Sequence, residues 1–258
     1  MAAEDFHDKP FNEGTLTKLQ IFELYAREWF PVFLSVKRPW CNAIHVFDFF
    51  AGPGTDCVNV LGSPLRLLQQ LRSYQTTEGW GKVRIYVHFY DEDEDKITQL
   101  KDNIVAHDLR FQDVTFDIQP LRFDDAFTVS ARTLALQDAA KLVFIDQTGV
   151  AQVTPDVFHR LISSPTCDFL FFLSSSTLHR FHDHPAIKQK IVRPDDYYHV
   201  HRKALEESIP FLVEIAKRPP LWGARRVRQQ RLLLTFGLTA GLRIGSRIND
   251  RHAVHSIL

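Results

Sequence analysis

Asp48-Phe49-Phe50-Ala51-Gly52-Pro53-Gly54 is the segment whose residue types and spacing best suit chemistry. An acid closes an apolar run, and glycines follow at once. Glycines there let the backbone adopt positive φ and come close to a ligand. The segment is not a nucleotide-phosphate loop, because no Gly-Lys-Ser/Thr follows it. It is also an incomplete dinucleotide fingerprint, because the third glycine is missing and Cys57 comes instead. A plain turn between strand and helix is the alternative. Asp91 ends the next apolar run, at a distance along the chain that suits an acid accepting from ribose hydroxyls. Asp124 or Asp125, expected at the end of a third strand, could accept from an adenine amine; both also suit an ordinary exposed surface. Asp93, Glu94 and Asp95 suit the positive end of a helix. Asp146, followed by Gln147, Thr148 and Gly149, closes a fourth apolar run.

Other candidates carry less. His179, His182, His184, His199 and His201 gather near Asp183, but their spacing matches no standard zinc pattern and no cysteine is adjacent. They suit polar loops or substrate contacts, and no metal is expected. Ser174–Ser176 lack the Gly-x-Ser-x-Gly elbow of a serine hydrolase. Cys41, Cys57 and Cys167 are widely spaced, which argues against a disulfide framework and fits a reducing cytoplasm.

These residues need a scaffold, and the pattern of apolar runs supplies one. Ile44–Phe50, Val83–Tyr90, Val114–Ile118, Lys141–Ile145 and Phe169–Leu173 read as strands, with Leu232–Phe236 and Leu242–Ile244 as a last short pair. Between them lie helical stretches: Leu65–Leu71 behind Ser63 as cap and Pro64 at the first position, Glu92–Asn103, Phe127–Leu136, and a helix opened by Thr154-Pro155. Lys203–Lys217 is also helical in composition. A first helix is expected after Thr15 as cap, its stripe running through Leu19, Phe22 and Trp29 to a kink or end at Pro31. Strands apolar on both faces, alternating with helices, predict an α/β protein with a doubly wound, mostly parallel sheet. In such sheets ligands sit outside the carboxyl ends of the strands, near the switch point. The division expected is 1–40 as an N-terminal helical extension, 41–216 as a Rossmann-like cofactor-binding domain, and 217–258 as a basic segment closing the sheet.

Composition sets the outer limits. The chain has 258 residues, 45% hydrophobic and 12% aromatic, which excludes intrinsic disorder and provides for a sizeable core. Lys+Arg and Asp+Glu both number 31, so the whole chain is no polycation. The balance conceals an asymmetry, because residues 217–258 hold nine Lys/Arg against Asp250 alone and are formally +8. That segment suits a solvated face that pairs with the acidic body, or a phosphate-binding edge using Arg225, Arg226, Arg228 and Arg231. No apolar run approaches the roughly 20 residues that span a bilayer, and the acidic start is no secretory signal.

Asp48–Gly54 resembles motif one of class I S-adenosylmethionine-dependent methyltransferases, in the Phe-x-Gly-x-Gly form of amino-methyltransferases. The wider pattern is similar to the bacterial and phage three-Cys-motif partner family. The matching elements are Thr15-x-x-Lys18, Asp48–Gly54, Gly62-Ser-Pro-Leu65, Phe89-Tyr-Asp91 and Phe144-Ile-Asp146-x-x-Gly149, within roughly residues 11–175. The resemblance implies a Rossmann-like seven-stranded sheet with a terminal antiparallel strand. It also implies S-adenosylmethionine held across Asp48, Phe50, Ala51, Gly52, Gly54, Asp91 and Asp125, and a radical-S-adenosylmethionine-like partner carrying the three cysteines. Asp146 and Gln147 would align the nucleophile for an in-line methyl transfer to nucleic acid or a nucleotide-like substrate. The family's loop after strand four usually shows Asp-Pro-aromatic-Gly, and here the proline and ring are absent. A flipped base would lose a stacking partner. A catalytically degenerate partner module in a phage or mobile-element system is therefore the alternative function, and an Arg-rich nucleic-acid binder is the third.

Overall fold

The computed structural model describes residues 9–146, 152–173 and 233–238. The first five apolar runs form parallel strands: β1 (Ala43–Asp48), β2 (Arg84–Asp91), β3 (Val114–Pro120), β4 (Ala139–Ile145) and β5 (Cys167–Leu173). A sixth strand, β6 (Leu233–Leu238), pairs antiparallel to β5. The order is β3-β2-β1-β4-β5-β6, so the direction of winding reverses between β1 and β4. That junction is the switch point, where the loops leaving two neighbouring strands diverge and open a crevice. Every residue of β1 and β4 is buried, as central strands covered on both faces must be.

Among the described residues seven helices flank the sheet: α1 (Glu13–Trp29), α2 (Pro31–Leu34), α3 (Ser63–Arg72), α4 (Glu94–Ala106), α5 (Phe123–Val129), α6 (Ala131–Leu134) and α7 (Pro155–Ser163). The pleat sends alternate side chains to opposite faces. Val46, Val87, Leu142 and Phe144 meet Phe22 of α1, Leu65 and Leu68 of α3, and Leu100 of α4. On the other face Phe47, Val143, Phe169 and Phe171 meet Phe123, Phe127 and Phe158 of α5 and α7. Helices on both faces of a mostly parallel sheet make the expected doubly wound, Rossmann-like fold. The segment before residue 41 is not set apart from it. Phe22, Trp29, Phe30 and Phe33 belong to the same core as the sheet, and the Phe22 and Phe144 rings lie 4.4 Å apart.

Several local expectations change. α1 is capped by Asn12, whose carboxamide oxygen accepts the Thr15 N–H at 3.0 Å, so Thr15 sits inside the helix. α1 ends at Trp29 just before Pro31, as expected, and Pro31 then takes the first position of α2, where its missing N–H costs no bond. Gly62, not Ser63, caps α3. β3 stops at Pro120, and the next helix begins at Phe123 rather than Phe127. It breaks at Ser130 into α5 and α6. Thr154 caps α7 as expected, its hydroxyl accepting the Val157 N–H at 3.3 Å. Leu242–Ile244, the histidines from His179 to His201, Ser174–Ser176, the helical stretch Lys203–Lys217, Gln147 and the arginines from Arg225 to Arg231 lie outside the described residues.

Candidate active site

The switch point collects the acids that end β2, β1 and β4. Asp48 is aligned with Phe89 of β2 and Phe144 of β4, each two residues short of Asp91 and Asp146. Neighbouring strands run about 4.8 Å apart, so the three carboxyls share one edge of the sheet.

Asp48 is only 1% exposed. Its Oδ1 accepts the Phe50 N–H at 3.0 Å and its Oδ2 accepts the Ser63 hydroxyl at 2.6 Å. Burial pushes its pKa up to about 7; the Ser63 and Phe50 bonds oppose that rise, while Asp146 and Asp91 add to it. The carboxyl thereby clamps the loop leaving β1 to the first residue of α3.

The glycine loop is pinned from the β2 side. Ala51 donates its N–H to the Tyr90 carbonyl at 2.9 Å, and Gly52 donates to Asp91 Oδ2 at 3.0 Å. The other Asp91 oxygen accepts from Asp93 N–H at 3.1 Å, starting the turn into α4. Gly52 has φ of 58° and Gly54 has 87°, the left-handed region that glycine enters without steric penalty. A Cβ on Gly54 would lie 2.8 Å from Leu100 Cδ1. Gly54 also gives its carbonyl to Gly62 N–H at 2.7 Å, folding residues 55–61 into a small excursion. Buried Asp56 holds that excursion, accepting from the N–H groups of Phe11, Val58 and Val60 at 2.8–3.0 Å. Ala51, Gly52, Pro53 and Gly54 are all buried.

Asp146 follows β4. Both its oxygens accept from the Lys18 ammonium of α1, at 2.6 and 2.8 Å, and each side chain keeps about a fifth of its surface exposed (20% and 21%). Phe50 is half-buried and stacks on Phe123 at 5.5 Å and 14°. Asp124 and Asp125 do not end β3; they are exposed in the first turn of α5. The structure thus brings Asp48, Gly52, Gly54, Asp91 and Asp146 to one edge and leaves Asp125 on the helix beside Phe123. Among the described residues no group of three His, Cys, Asp or Glu is placed to hold a metal ion.

Two contributors to the site, and one polar group away from it, escape a reading by spacing. Lys18 meets Asp146 across 128 positions. Asp56 organises the loop between β1 and α3. On the opposite face of the sheet, His88 joins His45 at 3.1 Å and Asp117 at 3.1 Å, and the Tyr90 hydroxyl donates to Asp117 at 2.5 Å. The one signal for that last group is polar residues at alternate positions in otherwise apolar strands.

No protein-family profile matches the sequence, and no curated protein matches it. Solved structures do show likeness. One is an S-adenosylmethionine-dependent methyltransferase from Agrobacterium tumefaciens, at 10% identity and TM-score 0.39, over 70% of this chain and 50% of that one. This chain therefore spans half the length of that enzyme. Another is a methyltransferase from Geobacter sulfurreducens, at 14% identity and TM-score 0.37, over 75% and 71% of the two chains. A geranyl diphosphate methyltransferase in complex with S-adenosylmethionine aligns at 11% identity and TM-score 0.38, over 83% of each. The fold assignment itself stands on the strand order and the helices on both faces.

Proposed function

We propose that this chain binds S-adenosylmethionine at the carboxyl edge of β1, β2 and β4 and transfers its methyl group. The observation that carries the reading is the Gly52–Asp91 contact, which brings a glycine loop and a carboxylate together beside the switch point. Gly52 and Gly54 supply the left-handed turns that lay the loop against Asp91, and Asp91 offers oxygens able to accept from ribose hydroxyls. The Asp91 carboxylate suits a ligand bearing a sulfonium cation, while Asp48 is buried and bonded to the loop and Asp146 is paired with Lys18. The cofactor supplies the electrophilic methyl carbon. The chain's own part is to hold the acceptor in line, with Asp146 taking a hydrogen bond from an attacking amine. A nucleic acid or nucleotide-like acceptor follows from the sequence resemblance, as does a radical-S-adenosylmethionine-like partner; Arg225, Arg226, Arg228 and Arg231 would meet the phosphates. The wide spacing of Cys41, Cys57 and Cys167 in the sequence accords with a reducing cytoplasm. Among the described residues no helix is long and apolar enough to cross a membrane.

Isothermal calorimetry with S-adenosylmethionine and its demethylated product tests the reading. Saturable heat with either is the expected result, and its absence with both ends the proposal. A second reading is a catalytically degenerate partner module. It is favoured by the Lys18–Asp146 pair, which occupies both oxygens that would orient an acceptor. Methyl transfer to a pool of DNA, RNA or protein, lost in Asp146→Ala, would exclude that module.

A further inference from the structure

We propose that Lys18 is the residue that sets how strongly the site prefers a sulfonium over a neutral thioether; the proposal rests on the cofactor reading above. Methyl transfer removes the positive charge from the cofactor's sulfur, so the local field decides how tightly substrate and product are held relative to each other. Three carboxyls converge on the edge, and one of them, Asp146, is held on both oxygens by Lys18. The pairing comes from α1, an element that contributes nothing to the glycine loop's own turn. It is anchored from both ends: the Phe11 N–H is fixed to Asp56, and Phe22 packs on Phe144 one turn beyond Lys18. The ammonium is thereby held in place rather than left on a free arm.

Its charge acts on the ligand in one direction. The three ends lie within about 10 Å of one another, given the strand spacing. That is close to the roughly 8 Å screening length of physiological salt, and half-buried charges are screened less. With Lys18 present, the Asp146 charge is cancelled and the edge holds the sulfonium less tightly relative to the thioether. With Lys18 neutral, Asp146 acts on the sulfonium uncompensated. With Asp146 neutral instead, Lys18 opposes the sulfonium.

Calorimetric Kd values for S-adenosylmethionine and S-adenosylhomocysteine, taken as a ratio, read this directly. Lys18→Met is expected to shift the ratio toward the sulfonium at least threefold, and Asp146→Asn to shift it at least threefold the other way. The double variant, which restores the net charge while removing the pair, is expected to return close to the wild-type ratio, and Lys18→Arg to keep it. A role confined to holding the fold would weaken both ligands together and leave the ratio unmoved. Were Lys18→Met to misfold, Asp146→Asn and Lys18→Arg would still decide the matter. An unchanged ratio in proteins that bind both ligands overturns the role of Lys18 alone. Absence of binding by the wild type overturns the cofactor reading, and this inference with it.

Discussion

The Ser63 hydroxyl and the Phe50 amide close on opposite oxygens of the same buried carboxyl, Asp48, at 2.6 and 3.0 Å. These bonds favour the charged form, yet burial outweighs them and raises the pKa from 3.8 to about 7. The folded protein therefore holds a proton on Asp48 that the unfolded chain has released. This contribution to stability is whole below about pH 4 and is lost as pH rises toward 7. Asn at this position keeps an oxygen for the Phe50 N–H, and the Ser63 hydroxyl can turn to accept from its amide. Asp48→Asn should remove this group's share of the pH dependence, gaining on the wild type by up to about 1.4 kcal/mol per pH unit across that window. Urea unfolding of both proteins from pH 4 to 7.5 checks this; parallel stability curves would show that Asp48 ionises freely in the folded state.

Gly54 and Gly81 separate crowding from backbone strain. Both have positive φ, 87° and 77°. A Cβ at Gly54 meets Leu100 at 2.8 Å and Leu65 at 3.3 Å, while one at Gly81 meets nothing within 4 Å. Gly81→Ala should cost about 1 kcal/mol, the strain of a left-handed residue. Gly54→Ala should cost about 2–3 kcal/mol, because the crowded core adds to that strain. It should also weaken ligand binding at the loop. Equal losses in denaturant titrations would show that Leu100 yields freely.

The strand ends were legible because a fully buried strand leaves a continuous apolar run, and an acid followed by glycines stops it visibly. Asp48 is legible on that ground, and Asp91 as the acid that closes the next apolar run. Asp125 ends no strand, because the turn after Pro120 is short and Phe123 already belongs to a helix, which makes Asp124 and Asp125 first-turn acids. Asn12 and Thr15 are both good caps by residue type; only backbone geometry decides between them, and Asn12 has it. Ser63 has the composition of a cap, yet its hydroxyl turns to Asp48 instead. The Lys18–Asp146 pair joins residues whose proximity depends on how α1 crosses β4, which no local spacing encodes.

The cysteines should report the two cores independently. Cys57 is exposed in the excursion after β1, whereas Cys41 and Cys167 are buried. Burial pushes the Cys41 thiol up to about 11 and the Cys167 thiol up to about 12, so neither presents a thiolate near neutrality. At pH 8 a disulfide reagent should modify one thiol of the folded protein promptly and all three after urea. Prompt modification of Cys167 would mean that β5 is not packed between β4 and α7 in solution.

His45 offers the opposite pH signature to Asp48. Its ring stacks on Tyr86 at 4.5 Å and 5°, and its Nδ1 shares a hydrogen with His88 Nε2 at 3.1 Å. Burial lowers its pKa from 6.5 to about 3, with neighbouring His88, Lys141 and Arg84 adding to the shift. The folded state stays neutral there while the unfolded chain gains a proton, so this contribution is whole above pH 6.5 and is lost as pH falls toward 3. Phe at position 45 retains the stack on Tyr86 and cannot take up a proton. His45→Phe should therefore lose less stability on acidification, by up to about 1.4 kcal/mol per pH unit between those limits. Subtracting the two urea-unfolding profiles isolates this group from Asp48 and Asp168, whose raised pKa values tilt the wild-type curve the other way. A flat difference would place the proton elsewhere in the His45–His88–Asp117 chain, with His88 then the group to replace.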